Sequence, residues 1–416
     1  MITKKVLGLA LIGGMMASMN LQAQQKRCST VEYLEQKFEA HPELREQRAQ
    51  VKEKLQNLVD NKSFKTNADG NLVIPVVIHI VYATNGQNLP ESRINSQMQT
   101  LNNDYNMLNE DVDLVPAEFQ SVIGNVGIEF CLAKTDPSGN ATNGVIRKET
   151  TVDGFSIGTD DIKHDSQGGS NAWDTKRYLN IWVGEINSSL LGYATPPGAA
   201  TSDEDGVVIN WVNFGTTNAS QYNRGRTATH EVGHYFNLGH IWGDGPCFAD
   251  DDVDDTPAQG QEYYNKPDYP QSSCNSNDMF MNFMDYVDDE AMFMFTEGQK
   301  VRMLAALNGE RSKLLDNNLS LCSFPLDVDE NNFVSQFELY PNPNSGMLNI
   351  RYEANNTQEL SFYMTDLLGK KVYSEIVSDF EGNFDKQINI QHLPKGIYLV
   401  VVENDLQTKT QRLILQ

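Results

Sequence analysis

The stretch HEVGHYFNLGH, residues 230–240, places three histidines around one glutamate. On a helix, residues four apart lie on one face, so His230 and His234 can bind one metal ion together. A straight helix would carry His240 about 9 Å beyond His234, so the helix must end and the chain must turn back. Asn237 lies at that bend, and after Gly it is the residue that best tolerates the left-handed conformation. The pattern therefore predicts a Zn²⁺ site with His230, His234 and His240 as ligands.

Glu231 follows the first of these histidines directly, which places its carboxylate near the open coordination position. There it can take a proton from a water molecule, as a general base does. The alternative is a buried helix whose histidines are hydrogen-bonded core residues. Three histidines, the glutamate and a turn-permissive residue in one pattern favour the catalytic metal site.

This pattern resembles the HExxHxxGxxH motif of the metzincin metallopeptidases, and the longer string HEVGHYFNLGHIWGD is most similar to the pappalysin family. Asn237 departs from the usual Gly of the bend, which concerns the turn and leaves the ligands in place. The resemblance implies an α+β catalytic domain. In such a domain a twisted, mostly parallel sheet with a backing helix and the zinc helix precedes an irregular C-terminal subdomain. It also implies protein or peptide substrates.

The chain of 416 residues is long enough for two or three domains, and its formal charge of −24 argues against nucleic acid and anionic membranes as partners. Residues 1–23 have the positive start, short apolar run and small-residue end of a secretory signal peptide. No later segment is apolar over a length that spans a bilayer. We therefore expect a secreted protein without an integral membrane segment once the signal is removed.

Residues 24–71 are polar and have helical spacing, as an independent helical hairpin or a pro-segment would. Five cysteines leave one unpaired, and Cys28 stands apart near the expected mature N-terminus. A thiolate binds zinc well, so this cysteine could block the open metal position in a latent precursor. The string Arg27-Cys28-Ser29-Thr30 resembles the cysteine switch of pappalysin-like zymogens. The alternative is a free thiol or an intermolecular disulfide.

The catalytic domain is predicted to cover residues 72–322. It opens with the β-branched run LVIPVVIHIVYA, which is typical of a buried strand, and a helical pattern follows over 92–108. His79 lies inside that first strand, where a hydrogen-bonded core histidine is the favoured interpretation, and His164 lies in a polar loop without an assigned partner. Further strands and a closing helix are predicted at 125–133, 177–186, 205–214 and 295–315.

Six aspartates crowd the twelve residues from 244 to 255. Ca²⁺ prefers six to eight oxygen ligands, which aspartates, a Thr hydroxyl and backbone carbonyls can supply, whereas most acidic runs are solvated loops. Pappalysin relatives place calcium in these loops, which favours a calcium site here. The candidate ligands are Asp251, the carbonyl of Val253, Asp255 and Thr256.

Cys247 and Cys274 bracket this acidic loop. A disulfide between them would stabilise the fold by roughly 3 to 4 kcal/mol in the chain-entropy model. Cys131 and Cys322 would then be left to pair with each other, which the sequence alone does not settle.

The string NFMDY, residues 282–286, matches the metzincin turn whose methionine lies beneath the metal, which here is Met284. Tyr286 resembles the tyrosine that in several metzincins hydrogen-bonds the tetrahedral intermediate. Asp289 lies five residues after the methionine, where an acid could sit at the bottom of the pocket for the side chain after the scissile bond. A carboxylate there would select Arg or Lys, whereas the alternative is a solvated acidic turn.

The composition changes after residue 322. Residues 323–334 are a polar linker, and period-2 segments separated by turns over 335–416 predict a small all-β sandwich. The strings YPNPNSGMLNI, TDLLGKKVY and LPKGIYLVVVEN resemble the C-terminal sorting domain of type IX secretion substrates. That resemblance implies contact with the secretion machinery, and a carbohydrate-binding or adhesive sandwich is the alternative.

These features together predict a secreted zinc endopeptidase that is made as a zymogen. A zinc hydrolase of a non-peptide amide or ester would use the same site chemistry and is one alternative. An inactive adhesin stiffened by calcium is another, but a binding module has no need of the base Glu231.

Overall fold

The computed structural model describes residues 26–61, 64, 72–187, 190–201, 203–219, 221–316, 318–322, 334–366, 370–403 and 408–416. The predicted signal peptide lies outside these residues, as does the predicted linker except for its last residue. The chain divides into two compact units, residues 1–325 and 326–416. None of the described helices is both long enough and apolar enough to cross a bilayer.

The N-terminal segment, here called the leader, covers a short strand and two helices: β1 (Lys26–Cys28), α1 (Thr30–Ala40) and α2 (Pro42–Asn61). Helix α1 buries Tyr33, Lys37 and Phe38 against the rest of the unit, at the spacing of one helix face. Helix α2 packs on the later helix Glu297–Asn308 through a small apolar cluster of Val51, Leu55 and Ala306. The leader is therefore part of the folded unit, and the helical pattern predicted from its sequence is present.

One seven-stranded sheet forms the frame of the first unit. The strands after β1 are β2 (Leu72–Tyr82), β3 (Ile128–Leu132), β4 (Val145–Glu149), β5 (Leu179–Gly184), β6 (Leu190–Ala194) and β7 (Val207–Asn210). Their order in the sheet is β1-β6-β7-β5-β2-β3, β4 also pairs with β2, and every pairing is parallel except that of β6 with β7. The predicted mostly parallel sheet is confirmed.

Two helices lie against each other beside this sheet, α3 (Glu91–Tyr105) and α4 (Arg226–Tyr235), and α4 carries the HEVGH segment. Every residue of α4 is buried, because the helix packs on strands and on α3 at once. The hydroxyl of Tyr105 donates to the carbonyl of Thr229 over 3.1 Å and ties the two helices together. The sheet and α3 therefore hold the histidine-bearing helix rigidly from several sides.

The segment after α4 is mostly turns and loops, as predicted for the C-terminal subdomain. It contains a two-stranded hairpin, β8 (Ser272–Ser273) and β9 (Ser276–Asn277), then α5 (Glu297–Asn308) and the short α6 (Asn318–Leu321). Helix α5 begins with a capping box in which Thr296 and Gln299 satisfy each other's backbone N–H groups.

The second unit is all-β, as predicted. The period-2 segments at 346–353 and 359–366 are parts of one long strand that continues through irregular pairing between them. Alternate side chains such as Leu348, Ile350 and Tyr352 are fully buried, which is the period-2 pattern seen in the sequence. Its strands are β10 (Val334–Tyr340), β11 (Met347–Asp366), β12 (Lys371–Asn389), β13 (Gly396–Glu403) and β14 (Thr408–Leu415).

Candidate metal centre and active-site cleft

Helix α4 ends at Tyr235, and the chain then turns back on itself. Asn237 adopts a φ of +78°, the left-handed conformation that the sequence pattern required at this point. The backbone N–H of Leu238 closes the turn by donating to the carbonyl of Gly233 over 3.0 Å. This bend returns His240 to the face of α4 that carries the other two histidines.

The three imidazoles converge on one point. Nε2 of His234 lies 3.1 Å from Nε2 of His230 and 3.1 Å from Nε2 of His240. Each Nδ1 faces an acceptor, namely the carbonyl of Phe283 at 2.8 Å, the carbonyl of Leu238 at 2.9 Å and the carboxylate of Asp244 at 2.5 Å. Each Nδ1 must therefore carry the proton, so that three Nε2 lone pairs point at one another. A cation between them removes this repulsion.

The electrostatics favour the same conclusion. Burial and the neighbouring imidazoles lower the pKa of His230 well below its usual range and that of His234 to about 3, so both rings are neutral, the form that binds metals. Cys28 joins the three histidines in a buried group whose ligand atoms all lie within 4.8 Å of one another. Nitrogen and sulfur donors in a buried tetrad are a donor set that suits zinc.

Glu231 is fully buried beside this group, and burial raises its pKa to about 8. Its Oε2 accepts a hydrogen bond from the hydroxyl of Thr30 at 3.0 Å and lies 3.5 Å from Sγ of Cys28. Among the described residues, its Oε1 has no hydrogen-bond partner. The leader thus contacts the predicted base as well as the predicted metal ligands.

The two predicted residues of the NFMDY turn both lie close to the histidine-bearing segment, Met284 at helix α4 and Tyr286 at His240. Met284 is fully buried beneath α4, where a Cβ added to Gly233 would meet its sulfur at 2.6 Å, so a larger residue at 233 would force the methionine side chain to shift. The hydroxyl of Tyr286 lies 3.1 Å from Nε2 of His240 and donates to the carbonyl of Cys28 over 3.3 Å. Tyr286 therefore presents a donor directly at the metal position.

Asp289 is fully buried, so it is not part of a solvated turn. Its Oδ2 accepts from the backbone N–H groups of Arg224 at 2.8 Å and Arg226 at 3.1 Å, while its Oδ1 accepts from the guanidinium of Arg27 at 2.9 Å. The same guanidinium donates to the carbonyl of Val287 over 2.7 Å. An arginine of the leader therefore already occupies the pocket above Asp289.

A buried guanidinium at the start of α4 links the Asp289 turn to the helix that carries the histidines. Arg226, at the start of α4, pairs with the carboxylates of Asp104 at 3.2 Å and Asp111 at 2.6 Å. It also donates to the backbone carbonyls of Asp289 at 2.7 Å and Met292 at 2.8 Å. The turn that shapes the pocket is thereby fixed relative to the metal ligands.

The four calcium candidates lie in one loop that folds back on itself. Oδ1 of Asp251 accepts from the backbone N–H of Val253 at 3.1 Å and from the hydroxyl of Thr256 at 2.9 Å, and burial raises the pKa of Asp251 to about 7. Oδ2 of Asp255 accepts from the N–H of Gly298 at 2.8 Å. The remaining carboxylate oxygens, Oδ2 of Asp251 and Oδ1 of Asp255, are buried without a partner among the described residues.

The structure joins Cys247 to Cys274, with Cα atoms 5.3 Å apart, and Cys131 to Cys322, with Cα atoms 5.8 Å apart. Cys28 is the cysteine left free, and it is buried.

The other two histidines singled out in the sequence have polar partners. His79 is a buried core residue whose ring contacts Ser170 at 2.8 Å and Asn180 at 3.0 Å. His164 lies 3.4 Å from Glu204, a partner that the sequence did not indicate.

Several functional contacts escaped the sequence analysis. Arg27 and Thr30 were noted there only as neighbours of Cys28, and Arg226 was not singled out. Asp244 was counted in the acidic run, whereas its carboxylate orients His240. Asp244 follows His240 by only four residues, so a tight turn after the third histidine was the local signal that could have indicated this contact.

The fold and the site define a zinc metallopeptidase of the metzincin class. Residues 163–308 match the family model described as pregnancy-associated plasma protein-A, and residues 338–416 match the secretion system C-terminal sorting domain. The curated relatives are named extracellular metalloproteases. One from Arthroderma benhamiae is 29% identical over 60% of this chain and 78% of its own, and one from Uncinocarpus reesii is 32% identical over 54% and 71%.

Two solved structures from Tannerella forsythia are similar to the first unit. Mature mirolysin in complex with a cleaved peptide is 42% identical over 61% of this chain and 98% of its own, with a TM-score of 0.60. A promirolysin mutant is 38% identical over 71% of this chain and 99% of its own, with a TM-score of 0.65. The chain therefore belongs to the pappalysin family of metallopeptidases and is a secreted metalloendopeptidase.

Proposed function

We propose that this peptidase is made as a latent precursor, that Glu231 is its general base, and that it prefers Arg or Lys after the scissile bond. The observation that carries the proposal is the position of the leader. Strand β1 lies along β6, with Cys28 opposite Gly192, while Arg27 enters the Asp289 pocket and Cys28 meets the three histidines. The cleft therefore already holds an extended peptide.

His230, His234 and His240 would hold zinc, since their neutral Nε2 atoms converge. Zinc bound there acidifies a water molecule and polarises a peptide carbonyl. Glu231 takes a proton from the attacking water and passes it to the leaving amine nitrogen. The hydroxyl of Tyr286, which lies at the same point, donates to the carbonyl oxygen as that oxygen gains negative charge.

Residues 24–71 act as an inhibitory leader, and the catalytic domain covers 72–322. Cys28 supports this assignment because its sulfur shares the buried group with the three histidines and its backbone blocks the edge of β6. Promirolysin covers 71% of this chain, whereas mature mirolysin covers 61%. The difference of ten percentage points is about the length of the proposed leader. A free thiol that merely packs in the core is the alternative.

The specificity proposal rests on the contacts of Arg27. Its guanidinium is fully buried, bonded to Asp289 and to the carbonyl of Val287, and it lies 5.0 Å from the ring centre of Tyr222. A substrate arginine in the same position would gain the same charge-assisted hydrogen bonds. Lysine would reach the carboxylate as a point charge.

We also propose one structural calcium ion at Asp251, Val253, Asp255 and Thr256. Two buried carboxylate oxygens without a partner among the described residues support it, because uncompensated buried acceptors are costly and Ca²⁺ is bound by such oxygens. The acidic loop touches α5 through the Asp255 to Gly298 hydrogen bond, so an ion there would stiffen the subdomain that carries the Met284 turn.

For export, we propose cleavage of residues 1–23 as a signal peptide, followed by recognition of residues 335–416 by the secretion machinery. Residues 323–334 would link that sorting domain to the peptidase. The match of residues 338–416 to the secretion sorting family supports the second step.

The test is digestion of a peptide library by the zinc-loaded protein, with mass-spectrometric readout and small amide and ester substrates assayed in parallel. We expect internal cleavage of peptides with Arg or Lys after the cut, and no comparable turnover of the small substrates.

The variant Glu231→Ala should keep bound zinc and lose activity by a few orders of magnitude, because the ligands remain while the base is gone. Cleavage by that variant at the wild-type rate would refute the mechanism, and turnover of only the small substrates would favour the amide or ester hydrolase. Zinc binding without any turnover would favour the adhesin.

A further inference from the structure

A lysine of the leader is bound in an acidic pocket of the catalytic domain that shares no acidic residue with the Asp289 pocket. Nζ of Lys37 lies 2.6 Å from Oδ2 of Asp160 and 2.7 Å from Oε2 of Glu204. The side chain of Asp160 is fully buried, and that of Glu204 is 14% exposed. We call the site formed by Asp160, Glu204 and Tyr193 the Lys37 pocket, and its natural occupant is an ammonium group.

Removal of the leader leaves this pocket with more negative than positive charge. Lys163 stays behind, since it belongs to the catalytic domain, and its Nζ lies 2.8 Å from Oδ1 of Asp160 and donates to the backbone carbonyl of Glu204 over 2.7 Å. The carboxylate of Glu204 keeps the hydroxyl of Thr201 at 2.7 Å and the ring of His164 at 3.4 Å. Removal of Lys37 therefore leaves two carboxylates beside a single lysine in the described part of the pocket. Such a site attracts another cation.

An aromatic wall completes the pocket. The ring of Tyr33 in the leader packs against the ring of Tyr193 with centroids 4.7 Å apart, and its hydroxyl donates to Asp160 over 3.0 Å. Release of the leader uncovers the ring of Tyr193 next to the carboxylates. Carboxylates beside an aromatic face suit a guanidinium as well as an ammonium group.

The position of the pocket follows from the path of the leader. Arg27 occupies the pocket for the residue after the scissile bond, Cys28 lies at the histidines, and Thr30 accepts a hydrogen bond from the N–H of Ala194 at the end of β6. Lys37 comes two helical turns later. The leader thus passes from the proposed primed side, across the metal position, to the side that binds residues before the scissile bond.

The distance can be expressed in substrate residues. Helix α1 advances about 10 Å from Thr30 to Lys37, at 1.5 Å per residue. An extended peptide covers that distance in about three residues, at 3.3 Å each. A substrate that follows the direction of α1 would therefore bring a side chain three or four residues before the scissile bond to Glu204.

We propose that the vacated Lys37 pocket is a second specificity subsite, which takes a Lys or Arg side chain three or four residues before the scissile bond of a peptide substrate. The inference rests on the proposed function, because it assumes that the leader leaves and that the Asp289 pocket lies after the cut. It adds a second basic determinant on the opposite side of the metal.

The experiment uses the full chain after it has processed itself or been nicked with trypsin, and after the leader has been removed. The reference peptide carries Arg after the scissile bond and Ala at the second to sixth positions before it. Lys, Arg or Glu then replaces each Ala in turn, and kcat/KM is measured for every peptide. We expect about a tenfold gain for Lys or Arg at the third or fourth position and a loss for Glu at the same position.

Variants locate the effect. Glu204→Gln keeps the size of the side chain and removes its charge, so the preference for Lys over Ala at that position should fall to near one. Asp203→Asn changes an exposed neighbouring acid and should leave the preference intact. Measurable cleavage of the reference peptide by Glu204→Gln shows that the variant is folded.

The outcomes separate this inference from the proposed function. If the reference peptide is cleaved but no upstream position favours a basic residue, or if Glu204→Gln keeps the preference, the second subsite is wrong and the peptidase assignment stands. If the reference peptide is not cleaved at its Arg, the proposed specificity fails and this inference fails with it.

Discussion

The hydroxyl of Thr30 in the leader donates a hydrogen bond to Oε2 of Glu231 over 3.0 Å. The hydroxyl oxygen of Thr30 also accepts a hydrogen bond from the backbone N–H of Ala194 at 2.9 Å, so Thr30 joins the proposed base to the edge of β6. Cys28, two residues earlier, faces the metal ligands. The leader therefore contacts both parts of the proposed catalytic machinery, the metal position and the base.

Replacing Thr30 with Val should weaken latency, because it removes the hydroxyl while keeping the size of the side chain. Because burial raises the pKa of Glu231 to about 8, this is a hydrogen bond between neutral groups near neutral pH. Such a bond contributes about 0.5 to 1.5 kcal/mol, so we expect the precursor to process itself roughly two- to tenfold faster. The measurement is the rate at which the intact precursor disappears on gels after zinc is added. Thr30→Ser keeps the hydroxyl and should behave as wild type.

Cys28→Ala tests the other contact in the same assay. We expect faster processing again, since the thiol no longer occupies the metal position. Wild-type latency in both Cys28→Ala and Thr30→Val would show that the leader inhibits by steric cover alone.

Asp289→Asn should reduce the preference for Arg after the scissile bond. The amide oxygen can still accept the two backbone N–H groups, but the charge that pairs with a guanidinium is gone. We expect the ratio of kcat/KM for Arg peptides to that for Ala peptides to fall roughly thirtyfold, which corresponds to a loss of about 2 kcal/mol in transition-state binding. The adjacent acid Glu290, which pairs with Lys266 at the surface, provides the control Glu290→Gln, and equal ratios in the two variants would contradict the pocket assignment.

Chelation of calcium should lower the melting temperature while zinc is kept saturating. An ion present at 100 times its dissociation constant stabilises the folded state by about 2.7 kcal/mol, which corresponds to a shift of roughly 5 to 10 °C for a domain of this size. Asp255→Asn should abolish the calcium-dependent shift, whereas the exposed Asp254 can be changed to Asn without effect. If chelation does not change the melting temperature of the wild type, the calcium site is wrong and the loop is a solvated acidic turn.

His79 should make the first unit sensitive to acid. Burial lowers its pKa to about 4, against about 6.5 in an unfolded chain. The unfolded state therefore binds the proton first, so this stabilisation is complete above pH 6.5 and is lost as the pH falls toward 4. The loss at pH 4 is about 3 kcal/mol. Between pH 6.5 and 4, the free energy of unfolding should fall less in His79→Gln than in the wild type. Denaturant titration at each pH measures this difference.

The control for His79 is the half-exposed His41, which lies in the leader. His41→Gln should lose stability with falling pH as the wild type does. The same pH dependence in His79→Gln and wild type would mean that the buried imidazole is not a source of acid sensitivity.

The sequence by itself determined the features that depend on neighbours along the chain. The spacing of His230 and His234, the bend at Asn237 and the period-2 tail follow from helix and strand geometry, and the structure has them where they were predicted. Short strands with weak patterns were less visible. Strands β4 and β6 were not predicted, although β6 is the edge against which the leader lies. Their pairing depends on partners elsewhere in the sheet rather than on their own few residues.

Only the tertiary structure decided which distant residues meet. Thr30 and Glu231 are 201 residues apart, Arg27 and Asp289 are 262 apart, and Lys37 reaches Glu204 across 167 residues. Periodicity reports which face of an element is buried, but it carries no information about what packs on that face. The occupants of the cleft and of the Lys37 pocket follow from how the leader folds across the sheet edge, because ion pairs and hydrogen bonds form only where packing brings complementary groups within about 3 Å.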